Sequence, residues 1–117
     1  MKVSLNLTER MKLFNLIKDD PKFKETTIAT WKIIDIAKKD LGLGEEDYKI
    51  FKLVTRDGTL YAEDVAKAAE DIEYTIPDTL YALIVSHLKE KNDAGKVNED
   101  LYTLWKKLVK EDDVSSK

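Results

Sequence analysis

The chain has 117 residues, 43% of them hydrophobic and 37% charged, and a net charge of −3, which is typical of one globular domain spanning residues 1–117. Because it has no cysteine, disulfides, thiolate metal ligands and cysteine nucleophiles are excluded. No apolar run approaches the roughly 18 residues that a membrane span needs, and the N-terminus has no signal-peptide core, so we expect a cytoplasmic protein without membrane association.

The first predicted element is a helix that Asn6 can cap together with Glu9, three residues later. Pro21 ends this helix. Its apolar side is formed by Leu13, Phe14, Leu16 and Ile17.

A second helix is predicted to begin near Thr26 or Thr27 and to end at the glycines of "LGLG". Trp31 projects to the edge of its apolar arc. The residues predicted to face the core are Ala29, Ile33, Ile34, Ile36, Ala37 and Leu41.

Residues 45–76 have a different pattern. Glu45 to Tyr48 are compatible with a helical turn, "IFKLVT" is rich in strand formers, and "RDGT" contains the Asp-Gly pair of a tight hairpin. The alanine-rich "AEDVAKAAED" predicts a short helix. The segment "DIEYTI" alternates apolar and polar residues, which predicts a strand.

Two further helices are predicted, one from about Asp78 and one capped by Asn98, with the turn "NDAG" between them. The ordered core should span residues 5–110, and residues 111–117 should fray. The sequence therefore predicts an α+β fold with two N-terminal helices, a small antiparallel β-hairpin or sheet, and a C-terminal helical hairpin.

His87, the one histidine, projects into the apolar arc of its helix, where Glu90 is its only neighbouring acid at helical spacing. We therefore expect a buried histidine, bonded to backbone or lying at the core rim, rather than a catalytic base. One histidine without cysteine cannot supply a usual zinc site. Adjacent acidic residues lie at helix starts and turns, where solvation and helix dipoles explain them. We expect no enzyme activity, catalytic residue, metal or cofactor.

Residues 45–80 contain ten Asp or Glu against four Lys or Arg, a local charge of −6 that would either repel nucleic acid or face a basic partner. Trp31 is a candidate anchor for a partner, with packing at the core edge as the alternative. A second candidate patch lies in the acidic region. Its residues are Tyr48, Phe51, Tyr61, Glu63 and Asp64.

The leading hypothesis is a protein-interaction module that binds another protein or itself, and the alternative is a winged-helix-like regulator that binds nucleic acid. A small enzyme that uses carboxylates and His87 ranks third. The second helix would be the recognition helix of such a regulator. However, its polar side offers only Lys32, Asp35 and Lys39, and arginine occurs only at Arg10 and Arg56. Nucleic-acid binding is therefore favoured less, because recognition helices present several long polar side chains.

The segments "LTERMKLFNLIKDD", "TIATWKIIDIAKKDLGLGEEDYK", "DGTLYA" and "IEYTIPDTLYALIVSHLKEKNDAGKVNEDLYTLWKKLV" resemble a group of small proteins encoded by tailed bacteriophages and prophages. The resemblance covers residues 5–110 and lies in the opening "TER" helix, the Glu-rich break and the closing helical hairpin. The "AEDVAKAAED" segment departs from that pattern. The resemblance implies a phage accessory or host-modulating protein in a bacterial cytoplasm, and it implies no functional residue.

Overall fold

A computed structural model of the chain describes residues 1–20, 23 and 25–109, so the predicted frayed tail at 111–117 lies outside the described residues. The described part is α+β, as the sequence predicts, and contains two antiparallel sheets of two strands each. The elements in chain order are β1 (Lys2–Leu5), α1 (Leu7–Asp19), α2 (Ile28–Leu41), α3 (Glu45–Ile50), β2 (Leu53–Arg56), β3 (Thr59–Ala62), α4 (Val65–Ala69), β4 (Ile72–Thr75), α5 (Asp78–Asp93) and α6 (Glu99–Leu108).

The helix caps form as the sequence predicts. At α1, Asn6 accepts a hydrogen bond from the Glu9 backbone N–H, and Glu9 accepts one from the Asn6 backbone N–H, each at 2.9 Å. Thr27 caps α2 and Asn98 caps α6, each through a side-chain oxygen that accepts the backbone N–H three residues later. These bonds satisfy donors that a helix start otherwise leaves unpaired.

Helix α2 turns a narrower side toward the core than predicted. Ile34, Ala37 and Leu41 are buried, whereas Ile36 is 57% exposed and Ala29 is also exposed. Both exposed residues project away from the centre of the buried stripe, because successive residues turn by about 100°. Their predicted place in the core is therefore wrong.

Strand β1 is an element that the sequence analysis did not predict. It pairs antiparallel with β4, so that Val3 lies opposite Tyr74 and Leu5 opposite Ile72. Val3 and Leu5 are buried, and the alternation predicted for β4 is confirmed. This sheet joins the N-terminal strand to the segment that precedes α5.

The second sheet is the predicted hairpin, formed by β2 and β3 around Asp57 and Gly58. Both turn residues have positive φ, at 52° and 78°, which is the backbone of a type I′ turn. The predicted strand started too early, because Ile50 still belongs to α3.

The core lies between α1, α2, α5, α6 and the β1–β4 sheet, and α5 and α6 form the predicted helical hairpin. The buried apolar residues of this core are Val3, Leu5, Leu13, Ile17, Phe23, Ile34, Ala37, Leu41, Ile76, Leu80, Ile84, Leu88, Leu104, Leu108 and Val109. The β2–β3 hairpin contributes none of them, so it lies outside the main core.

Candidate functional site

Trp31 lies on α2, partly buried and packed against the core, with the Lys38 ammonium 5.9 Å from its ring centre. This placement matches the alternative that Trp31 covers the core edge. Trp31 belongs to α2, whereas the second candidate patch lies on α3 and the segment that follows it, so the two candidates are on different elements.

Phe51 cannot offer its side chain to a partner, because it is only 1% exposed. Its inclusion among exposed partner-binding residues is therefore wrong. Phe51 follows the last residue of α3 and belongs to no periodic apolar stripe, so the local sequence does not predict its burial. Its carbonyl accepts a hydrogen bond from the Asp64 N–H at 3.1 Å and thereby joins the end of α3 to the segment after β3.

Exposed apolar side chains are concentrated in residues 45–65, which we call the α3–hairpin segment. Among the described residues, five of the nine exposed large hydrophobic side chains lie in it. They are Tyr48, Ile50, Leu60, Tyr61 and Val65. Such a concentration outside the core is typical of interaction surfaces.

The acidic side chains of the α3–hairpin segment differ in their hydrogen-bond and ion-pair partners. Asp64 caps α4 by accepting the Lys67 N–H at 3.0 Å. Glu63 pairs with Arg56 at 3.1 Å, and both side chains are at least half exposed. Glu45 and Glu46 have no ion pair with any residue that the structure describes. Glu63, Glu45 and Glu46 are therefore accessible to an incoming cation.

Two open depressions flank α3. One, of about 550 Å³, is lined by Leu43, Gly44, Glu45, Tyr48 and Lys49. The other, of about 570 Å³, has Ile50, Phe51 and Tyr74 among its walls and also includes Glu45 and Glu46. Acidic side chains thus lie beside apolar ones on both sides of this short helix.

Arg10 holds α3 in place, a role that the sequence analysis missed. Its side chain is buried and donates to the carbonyls of Leu41 and Gly42, both at 2.7 Å. It also donates to both carboxylate oxygens of Asp47, at 2.8 and 3.1 Å, and to the Tyr74 hydroxyl at 3.4 Å. These five bonds use all five guanidinium N–H groups. A sequence signal existed, because Arg10 lies on the same side of α1 as Leu13.

The Arg10–Asp47 pair shifts the pKa values of both groups. Burial works against the charged form of Arg10, but the bonds to Asp47 and Tyr74 outweigh it and raise the pKa of Arg10. The hydrogen bond from Arg10 is the main reason that the pKa of Asp47 is lowered. Asp47 also accepts the Gly44 N–H at 2.8 Å, which fixes the start of α3.

His87 is buried, as predicted, but its partner is a carboxylate and not a backbone group. Its Nε2 lies 3.0 Å from an Asp20 oxygen, and its ring meets Phe23 edge-on with 5.6 Å between centroids. Asp20 follows α1 and is 67 residues away in sequence, so helical spacing could not reveal this pair.

An open groove of about 440 Å³ lies between α1, α5 and α6 and includes Asp20, but His87 does not line it. Lysine and aspartate side chains both line this groove, and the Lys12 and Asp100 side chains pair at 3.3 Å. Among residues 1–20, 23 and 25–109, no group of three or more metal-ligating side chains could hold an ion.

Comparisons of the chain with protein-family models, with curated proteins and with solved structures give no match. The resemblance to phage-encoded proteins therefore stays a prediction. Within the described residues, no helix is both long and apolar enough to cross a membrane.

Proposed function

We propose that the chain is a non-enzymatic protein-interaction module whose partner docks on the α3–hairpin segment. The observation that carries this proposal is the concentration of exposed apolar side chains there, beside acidic groups that are weakly paired or unpaired. Aromatic side chains such as Tyr48 and Tyr61 supply large contact areas at protein interfaces.

The proposed setting is a bacterial cytoplasm, where the protein acts as a phage accessory or host-modulating factor. The resemblance to phage-encoded proteins supports this setting, and the absence of cysteine fits a reducing compartment. The proposed partner is a host or phage protein, and self-association is the other arrangement to test.

The alternative, a winged-helix-like regulator, has less support. The exposed side of α2 carries Ile28 and Ile36 as well as lysines, and isoleucine cannot form hydrogen bonds to base edges. A gel shift that weakens with salt would favour this alternative, because contacts to phosphates release counterions.

A photo-crosslinking amino acid placed at Tyr61 tests the proposal, with Tyr102 as the matched control site. The two tyrosines are similarly exposed, at 51% and 55%, but Tyr102 lies on α6 outside the α3–hairpin segment. We expect a defined adduct in bacterial lysate from position 61 and none from position 102. Sedimentation of the purified protein separates a second copy from a different partner. Equal labelling at both positions, or no adduct at 61 from a strictly monomeric protein, would contradict the proposal.

A further inference from the structure

The hairpin register shows which backbone groups of β3 point away from β2. The Glu63 N–H donates to the Lys52 carbonyl at 3.0 Å, and these residues lie in register with the ladder. Hydrogen-bonded and non-hydrogen-bonded pairs alternate in an antiparallel ladder. Thr55 opposite Leu60 is therefore a non-hydrogen-bonded pair, as is Leu53 opposite Ala62. The N–H and C=O groups of Leu60 and Ala62 consequently point outward, and we call these four groups the β3 edge.

The β3 edge is open. Within the described residues the sheet has only two strands, and no backbone hydrogen bond joins Leu60 or Ala62 to another element. Every residue of β3 except Ala62 is exposed, whereas Leu53 and Val54 of β2 are partly covered. An exposed row of unpaired N–H and C=O groups is a template for an incoming strand.

The two faces of the hairpin differ in chemistry. Tyr61 and Glu63 lie on one face, and Glu63 reaches Arg56 on the same face. Leu60 and Ala62 lie on the other, because side chains alternate along a strand. A strand added at the β3 edge would thus meet an aromatic and acidic face on one side and an aliphatic face on the other.

The negative charge of the α3–hairpin segment favours a different protein over a second copy of this chain as the partner. The α3–hairpin segment carries six Asp or Glu against three Lys or Arg, a charge of −3. Two copies joined by this surface would place like charges against each other, which is unfavourable. The Arg56–Glu63 pair is exposed and contributes little, so an incoming cation can replace Arg56.

We propose that an extended segment of the partner, with Lys or Arg alternating with aliphatic residues, adds to the β3 edge as a third strand. The added strand runs antiparallel to β3, so that its aliphatic residues lie beside Leu60 and Ala62 and their backbone groups face β3. Its cations lie beside Tyr61 and Glu63, where ring and carboxylate both attract them. This inference rests on the proposed function and specifies the partner's chemistry.

The probe is a short capped peptide in which lysine and valine alternate, titrated into the isotope-labelled protein and followed by amide NMR. We expect saturable shifts at Leu60 and Ala62 that weaken as salt is added. Two peptides serve as controls. One alternates glutamate with valine, and the other has the lysines and valines in separate blocks. Shifts that are absent, that centre on another element or that are equal for the block peptide would overturn the proposal.

Proline variants test whether the peptide adds to the edge of β3 or to the edge of β2. Leu60→Pro removes an outward N–H from β3, and Thr55→Pro removes the opposite outward N–H from β2, and neither breaks a ladder bond. We expect Leu60→Pro to abolish the shifts and Thr55→Pro to retain them. The reverse result would assign binding to β2 and overturn the proposal.

Methylated peptides give a test that does not depend on how the variants fold. Backbone N-methylation of the valines should abolish binding, and N-methylation of the lysines should not, because only the valine N–H groups face β3 in the proposed register. Equal effects of valine and lysine N-methylation on binding would overturn the proposed strand addition.

If the crosslink from position 61 persists in Leu60→Pro, the proposed function stands and the β3 edge is excluded. If wild type gives neither adduct nor shifts, both proposals fail.

Discussion

Arg10 binds both carboxylate oxygens of Asp47 and so connects helix α1 to helix α3 across 37 residues of sequence. The Arg10 side chain is 5% exposed and that of Asp47 is 18% exposed, so the pair is largely shielded from water. Shielding matters because a buried charge that loses its partner keeps its desolvation cost. The pair therefore ties the position of α3 to a side chain of α1.

Replacing Arg10 by methionine should lower the free energy of unfolding by about 3–5 kcal/mol, because it leaves Asp47 without its cationic partner and two carbonyl groups without their side-chain donor. Urea unfolding followed by circular dichroism measures this change. Arg56→Met is the matched control, since Arg56 also pairs with a carboxylate but is exposed. It should cost less than about 1 kcal/mol. Similar losses for the two variants would contradict a structural role for Arg10; if Arg10→Met does not fold, Asp47→Asn provides the comparison.

Acid should weaken the protein through Asp47. Its pKa is lowered in the folded state from the ordinary value of 3.8, chiefly by the hydrogen bond from Arg10. The stabilisation from Asp47 is thus fully present above pH 3.8 and is lost as the pH falls through the lower folded-state value. Urea unfolding of wild type and Asp47→Asn over this window should show a smaller acid loss in the variant. An identical pH dependence would refute the assignment.

Local sequence signals were sufficient for the caps and the type I′ turn, because a few neighbouring residues determine them. They were insufficient for β1, whose partner β4 lies about seventy residues later. The alternation of "KVSL" was a signal for a strand, but only long-range pairing establishes it. The same limit explains Arg10 and His87, whose partners come from distant segments.

The candidate site was predicted in part. The aromatic and acidic composition of the region led to Tyr48 and Tyr61, and both are exposed. Phe51 has the same composition signal, yet it is buried where α3 meets the hairpin. Composition identifies residues that could form a surface, but their burial depends on packing that a single sequence does not reveal.

Two isoleucines on α2 differ in burial although they are the same residue type. Ile34 is 1% exposed and Ile36 is 57% exposed, although only one residue lies between them. Ile34→Ala should lower the free energy of unfolding by about 2–5 kcal/mol, since it leaves a cavity in the core. Ile36→Ala should change it by less than about 0.5 kcal/mol. Both values come from urea unfolding, and equal losses would show that α2 is rotated from the orientation described above.

Lys107 connects three segments near the C-terminal end of α6. Its ammonium lies 2.9 Å from Asp71 and 3.4 Å from the largely buried Glu9 of α1. Lys107→Met keeps the aliphatic stem but removes the charge, and we expect a loss of about 1 kcal/mol, limited by the exposure of Asp71. Lys106→Met is the matched control, because Lys106 is exposed and lies over the Tyr102 ring. Its replacement should have a smaller effect in the same unfolding measurement.

Alkaline pH should reproduce the effect of Lys107→Met. The hydrogen bond to Asp71 is the main reason that the pKa of Lys107 is raised from 10.5 in the folded state. Because the folded form holds this proton more tightly, the stabilisation is complete below pH 10.5 and is lost as the pH rises through the folded-state value. Wild type and Lys106→Met should therefore lose stability over that window, and Lys107→Met should lose less. If all three decline in parallel, the Lys107 contacts with Asp71 and Glu9 do not stabilise the fold.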